Sequence, residues 1–306
     1  MERRFPLVEI DLETAARLLE RIPGAPRPSA FELLAGGHIN TNYAIDLADG
    51  RRVVLRIFAS GEVAFRKESR VLAGLAGSVE VPRLFLSLYE PDLFAHPCTV
   101  LEWIDGSPLN ATLTDHPRGA VEIGEAVAGT LLKIGRHDLP EYPAPLFLEF
   151  VRACLFDRGG EQWLGPDLTP RLWAFVQEQS AFLEDLGCPS SLIHCDFQGD
   201  NILLRQEDGA WKVAAVLDWE WAQKGCYFRD LGSLLRFDGE PASDFHRGLE
   251  SGFARLGRPL PAAWRKAARI WDLQAHAEKL AYPRHRGEVT LRSIRIIERC
   301  LRDYGG

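Results

Sequence analysis

Between residues 192 and 220 the chain places His194, Asp196 and Asn201 in the order His-x-Asp-x-x-x-x-Asn, followed by Asp218-Trp219-Glu220. An apolar pair, Leu192-Ile193, leads in. A hairpin leads out, its strands ILLR and WKVAAVLDW flanking a turn at Asp208-Gly209. These residue types suit phosphoryl transfer. A loop aspartate accepts a hydroxyl proton, while an amide oxygen and a second carboxylate hold Mg²⁺ on nucleotide phosphates. Little covalent chemistry is needed, so positioning and charge neutralisation carry the rate. Asp196 and Asn201 alone are also good turn formers. Asp218, just past the hairpin's second strand, decides for chemistry.

Other chemistries fit less well. Cys195 neighbours His194, but adjacent residues of an extended segment point to opposite faces, which disfavours a Cys–His dyad. Asp218 and Glu220, at i and i+2, share a face rather than flank a sugar bond. His276 and His285 lack partners at metal-ligand spacing.

The elements that must hold this loop are legible from pattern. Asp11 caps a short helix, LETAARLLERI, and PGAPRP ends it. FELLAGGHINTNYAIDLADGRRVVLRIF alternates like antiparallel strands, with Asp49-Gly50 as a type I′ hairpin signal. Residues 62–76 form an amphipathic helix, and RLFLSLY and TVLEWI are strand-like. Beyond Asp105-Gly106 the spacing predicts helices over 119–136, 146–157, 168–186, 241–256, 262–281 and 288–303. A β-rich first third and a helical remainder predict an α+β protein of two lobes. The first runs over 1–103, with 1–29 a leading helix and connector, and the second over 104–306.

Composition sets the outer bounds. The 306 residues are 46% hydrophobic and 26% charged, an ordinary globular balance. No apolar run approaches the ~20 residues of a membrane span, and the start, MERRFPLVEIDLET, has no signal core. A net charge of −7 and the lack of basic–aromatic clusters exclude a general nucleic-acid binder. Cys98, Cys154, Cys188, Cys195, Cys226 and Cys300 form no CxxC, so free thiols in a reducing cytoplasm are expected.

With these motifs in place, the chain resembles the aminoglycoside phosphotransferase and choline kinase family of small-molecule kinases. The resemblance runs over roughly residues 30 to 300 and is strongest at His194–Asn201 and Ala214–Asp230. It implies the bilobal protein-kinase-like fold, with a small antiparallel-sheet N-lobe carrying one helix and a larger, mainly helical C-lobe. It also implies ATP and Mg²⁺ as cofactors. Asp196 matches the catalytic base, and Asn201 and Asp218 the Mg²⁺ ligands, with Glu220 close enough for a water-mediated role. His194 is expected to tie the catalytic loop, and Asp230 of Arg229-Asp230-Leu231 to brace it.

GGHINTNY stands where the family has its glycine-containing phosphate loop, which assigns Gly36, Gly37 and Asn40 to the nucleotide phosphates. The same residues would serve a plain turn. In VVLRIF, Arg56 occupies the position of the kinase phosphate-gripping lysine, and Glu68, twelve residues on, that of its ion-pair partner. Arg for Lys brings a fork in place of a point charge. TVLEWIDGSPL resembles the hinge, where backbone groups around Glu102, Trp103 and Ile104 would read adenine. Trp103 equally suits a core position.

The implied acceptor is a hydroxyl of a small molecule, aminoglycoside-, choline-, sugar- or homoserine-like; neither nucleic acid nor membrane is an expected partner. Candidate acceptor segments are 146–165 and 268–287. Asp272, Glu278 and the acid-rich stretch 101–150 offer an acidic wall for a cation, and Trp163, Trp264 and Trp271 offer aromatic faces. The alternative is a catalytically silent nucleotide-binding protein of the same fold.

Overall fold

A computed structural model describes residues 5–35, 39–237, 242–281 and 287–305. The chain forms two compact units, 1–112 with 200–222, and 113–199 with 223–306. This division differs from a cut at residue 103. The first unit also takes 104–112 and the hairpin after Asn201, because those segments pair with one another.

In the first unit, helix α1 (Leu12–Leu19) is capped by Asp11, whose carboxylate accepts from Thr14 N at 2.7 Å. Strands β1 (Pro28–Leu33), β2 (Thr41–Leu47), β3 (Arg52–Ile57), β4 (Leu84–Leu88) and β5 (Cys98–Glu102) form an antiparallel sheet in the order β1-β2-β3-β5-β4. Period-two alternation divides β3 between two faces. Val53, Leu55 and Ile57 join Tyr43, Ile45 and Val100 in the core, which leaves Val54 and Arg56 on the opposite face. Helix α2 (Glu62–Leu75) buries Phe65, Val71, Leu72 and Leu75 at helical spacing, together with two charged residues, Lys67 and Glu68.

The turn between β2 and β3 departs from expectation. Gly50 has φ +84°, but Asp49 is not in the left-handed region that a type I′ turn demands of both residues. Its carboxylate instead accepts from Arg51 N at 3.1 Å. At Asp208-Gly209 both residues have positive φ, as a type I′ turn requires.

A second sheet of the same unit joins β6 (Ser107–Pro108) to the hairpin Ile202–Glu207 and Ala210–Val216. Gly106 permits this approach. A Cβ there would lie 3.0 Å from Leu204 O and 3.2 Å from Leu203 Cβ.

The second unit is mainly helical. Helix α3 (Leu109–Asp115) runs across the division after residue 112, and α4 (Ala120–Ile134), α5 (Phe147–Arg152) and α6 (Glu161–Leu186) precede the strand β7 (Ser190–Ile193). A π-helical turn continues α5 to Asp157, and α6 starts earlier than expected, kinked at Gly165, which has φ +74°. Strand Gln223–Cys226 pairs antiparallel with β7. Then follow α7 (Phe228–Leu234), α8 (Ala242–Arg255), α9 (Trp264–Ala281) and α10 (Glu288–Tyr304). Among the described residues no helix is long and apolar enough to cross a membrane.

The expectation of free thiols throughout is corrected. Cys188 and Cys226 form a disulfide with Cα atoms 5.6 Å apart, while Cys98, Cys154, Cys195 and Cys300 are free and buried. The ladder explains the pairing: Cys226 sits opposite Ser190, two residues from Cys188, a proximity invisible in linear spacing. The closed loop spans 38 residues and contains Asp196, Asn201 and Asp218. Closing a loop of that length restricts the unfolded chain, so Cys188→Ser should lower stability by about 3–4 kcal/mol. Urea unfolding of the oxidised protein measures this. Equal midpoints for wild type and variant would refute it.

Candidate active site

The first unit gathers its expected residues around one guanidinium. Arg56 Nε lies 3.0 Å from Glu68 Oε2, Arg56 Nη2 donates to Asp218 Oδ1 at 2.5 Å, and Glu220 Oε1 lies 3.8 Å away. The Glu68 contact is an ion pair without hydrogen-bond geometry. Exposure separates the three carboxylates: the Glu68 and Glu220 side chains are 2% and 3% exposed, that of Asp218 31%. Only Asp218 is open to a ligand.

Burial opposes the charge on Arg56, yet Asp218, Glu68 and Glu220 together raise its pKa above the ordinary arginine value. Burial pushes Glu68 up to about 8; Arg56 opposes, while Asp218 and Glu220 add to the rise and the Trp219 N–H donates against it. With Glu68 raised toward its neutral form, the Asp218 and Glu220 carboxylates still outnumber the one cation, so the cluster favours a further positive charge at its open end.

Asp218 reaches that end through backbone geometry. It follows strand Ala210–Val216 with φ +66°, a conformation uncommon outside glycine. Leu217 N donates to Asn201 O at 2.8 Å, which sets Asn201 beside the turn that carries Asp218. Trp219 is fully buried, its Nε1 donating to Val216 O at 2.9 Å. One carboxylate and one amide oxygen match what Mg²⁺ takes from protein when phosphates and water fill the rest. Among the described residues no group of three or more His, Cys, Asp or Glu is arranged to hold a metal.

Arg56, Glu68 and Asp218 line a cavity of about 340 Å³ together with Glu102, Trp103 and Ile104. Trp103 is half-buried there, under Arg52 at 5.1 Å and donating to Asp105 at 2.9 Å, so it is not a core residue. Glu102 N donates to Arg83 O at 2.9 Å, which leaves the segment after it to meet a base. Asn42, opposite Arg56 in the β2–β3 register, lines the same cavity with its amide oxygen buried and unpaired. Sequence reasoning missed it, although period two from Asn40 points to it. Gly36 and Gly37 lie outside the described residues; Asn40 is buried, its Nδ2 donating to Glu220 Oε2 at 2.8 Å.

The second unit holds the segment that carries Asp196. Asp230 accepts from His194 N and Cys195 N, both at 2.8 Å, and Cys195 takes φ +68° to allow it. Burial pushes the Asp230 carboxyl up, with His194 and the two amide donors opposing. The buried His194 Nδ1 accepts from Asp196 N at 3.2 Å, and Asp196 Oδ2 accepts from Gln198 Nε2 at 3.2 Å. Asp230 and His194 thus both bond the backbone of the segment that carries Asp196.

Two cations near Asp196 escaped the sequence reading. Arg236, buried and paired with Asp272 at 2.5 Å, has its charge favoured by Asp272 and Asp196. Lys279 is lowered to about 8, by Arg236 first and then burial, with Asp272 and Asp196 opposing. No motif marks them; Arg236 lies in the turn after Leu234 and Lys279 in the helix Trp264–Ala281. Asp272 is also corrected. It is 1% exposed and bonded to Arg236 and to His276 Nε2, so it is an internal counter-ion, not part of an acidic wall. Trp264 is likewise buried, donating to Glu250 at 2.7 Å.

A cavity of about 570 Å³ in this unit brings the two acceptor candidates together, with Phe147 and Glu149 from one and Trp271 and Gln274 from the other. A second cavity, of about 660 Å³ beside Leu131, Tyr227 and Phe253, holds none of the expected residues.

Removing the guanidinium would leave Glu68 and Glu220 buried without their cation. Arg56→Met should therefore destabilise the protein by about 3–5 kcal/mol, read as a lowered urea midpoint. A midpoint within error of wild type would show that the cluster is not held by charge.

Residues 30–266 match the family model described as "Phosphotransferase enzyme family". A viomycin phosphotransferase of Streptomyces vinaceus is 29% identical over 217 residues, covering 65% of this chain and 66% of that protein, just under two thirds of it. The fold is shared with an aminoglycoside 2′-phosphotransferase in complex with GDP, with TM-score 0.73, 15% identity and coverage of 97% and 99%. It is shared too with a thermostable aminoglycoside phosphotransferase in ternary complex with ADP and hygromycin B, with TM-score 0.67, 15% identity and coverage of 94% and 98%. With a catalytic-loop motif, an Arg–Glu pair and a family match over most of its length, the chain belongs to the phosphotransferase enzyme family.

Proposed function

We propose that the protein transfers the γ-phosphate of ATP to a hydroxyl of a small cationic molecule. The observation that carries the reading is Arg56, paired with Glu68 and Asp218 in the cavity that Glu102, Trp103 and Ile104 also line. Arg56 grips the α- and β-phosphates, and backbone groups after Glu102 meet the adenine. Asn201 and Asp218 would hold Mg²⁺, which would neutralise charge on the nucleotide phosphates. The acceptor oxygen bonds to the γ-phosphorus, the bond to the bridging oxygen breaks, ADP leaves, and the hydroxyl proton passes to Asp196. Gly36, Gly37 and Asn40 belong to the phosphate-covering turn. ATP as donor places the reaction in the cytoplasm.

The acceptor's charge is argued from the cavity beside Trp271. Lys224 is paired with Asp138 at 2.8 Å, and Arg229 donates to Gln223 at 3.3 Å. Among the described residues, Glu149 and Glu184 on the same walls form no ion pair. Unanswered carboxylates with an aromatic face favour an amine-bearing acceptor. The viomycin phosphotransferase relative and the hygromycin B complex support an antibiotic of that kind.

A panel of amino-alcohols, aminoglycosides, cyclic peptides and sugars, assayed for acceptor-dependent ADP release with Mg²⁺, tests the reading. Asp196→Ala should lower kcat by between about a hundredfold and ten-thousandfold while Mg²⁺-ADP still binds. Undiminished turnover in that variant would remove Asp196 from the mechanism. Nucleotide binding by wild type with no turnover on any acceptor would favour the silent nucleotide-binding protein.

A further inference from the structure

Glu220 follows Asp218 by two residues but is withdrawn from solvent, and its two oxygens are divided between partners. Oε1 faces Arg56 Nη2 at 3.8 Å, and Oε2 accepts from Asn40 Nδ2 at 2.8 Å. Asn40 is itself 3% exposed and lies 180 residues away in sequence. Its remaining amide atom is also engaged, Oδ1 accepting from Ser60 Oγ at 3.1 Å. One continuous chain results: Ser60, Asn40, Glu220, Arg56, Asp218.

We infer that Ser60, Asn40 and Glu220 are positioning residues of the nucleotide and metal seat, tying the start of β2 to the turn that carries Asp218 and fixing the Arg56 guanidinium between them. The inference rests on the reading that Mg²⁺ and nucleotide phosphates bind at Asp218 and Arg56. Glu220 then acts through Asn40 and Arg56, with no direct bond to the metal required.

Physical chemistry restricts what can stand at each place. A buried carboxylate needs donors on both oxygens, since an unmatched one carries the full desolvation penalty. Arg56 serves one oxygen at long range; a neutral donor must serve the other. A lysine at position 40 would bring a second cation to compete with Arg56 for Glu220. A carboxamide donates to Glu220 and accepts from Ser60 at the same time, using both of its ends. Thr41, the next residue, is anchored separately by Val8 N at 3.1 Å, so both residues at the start of β2 are held in place. Of the five, Arg56 and Asp218 line the cavity, so motion elsewhere in the chain of bonds reaches the ligand only through them.

Reversing the polarity of the central bond tests this. Asn40→Asp sets two carboxylates face to face and should weaken Mg²⁺-ADP binding, measured by calorimetry, by at least about tenfold. Adding Glu220→Gln rebuilds the bond, the amide introduced at 220 donating to the carboxylate introduced at 40, with total charge unchanged. The double variant should return to within about threefold of wild type, both variants being measured below their unfolding transitions. A folded double variant as weak as Asn40→Asp, or an Asn40→Asp protein of wild-type affinity, overturns the inference. Should Asn40→Asp not fold, Asn40→Ala removes the donor without adding charge, and wild-type affinity there overturns it equally. Wild-type protein that binds no Mg²⁺-ADP overturns the nucleotide reading itself. Binding by wild type with unmoved variants overturns only the positioning role.

Discussion

A guanidinium buried against three carboxylates is the constraint around which the first unit is built. Taking Arg56 out of water is costly unless its neighbours compensate, and those neighbours come from two separate elements. Alternation along β3 turns Arg56 away from the apolar core. Helix α2 brings Glu68 against it, and the left-handed turn after strand Ala210–Val216 brings Asp218 and Glu220. Arginine suits this place because its planar fork addresses several oxygens at once, whereas an ammonium is a single point. The surplus of negative charge at the open end is what a divalent cation answers.

The second unit solves a related problem with the signs reversed. Asp230 is a buried anion whose partners are backbone amides, those of His194 and Cys195. The bonds hold Cys195 at positive φ and fix the peptide before Asp196, so Asp196 is carried on a loop with little freedom. The disulfide between Cys188 and Cys226 pins the strand pair feeding that loop. In both units a buried carboxylate accepts from the backbone, and a more exposed aspartate lies close to the segment it holds.

Much of this was legible in linear order. The helix carrying Glu68, the strands around Arg56 and the hairpin leading to Asp218 all follow from periodicity and turn chemistry, which are local properties. What escaped is non-local. Cys188 and Cys226 meet only because β7 pairs with Gln223–Cys226. Asp272 is an internal counter-ion only because Arg236 packs beside it. Asn42 enters the cavity by register with Arg56, and the partnership of Asn40 with Glu220 has no signature in spacing. Asp49-Gly50 failed in the other direction: the dipeptide has the right composition, but the Asp49 carboxylate bonds Arg51 and the turn takes another form.

The most direct test of the account is a Mg²⁺ titration of nucleotide binding by Asp218→Asn, with folding checked by circular dichroism. The substitution keeps size and shape and removes the open charge of the cluster. A carboxylate that is the principal metal ligand predicts an intact fold, a Mg²⁺ requirement raised at least about tenfold and crippled turnover. An Asp218→Asn protein with wild-type Mg²⁺ dependence and rate would contradict the account, because the metal would then sit elsewhere.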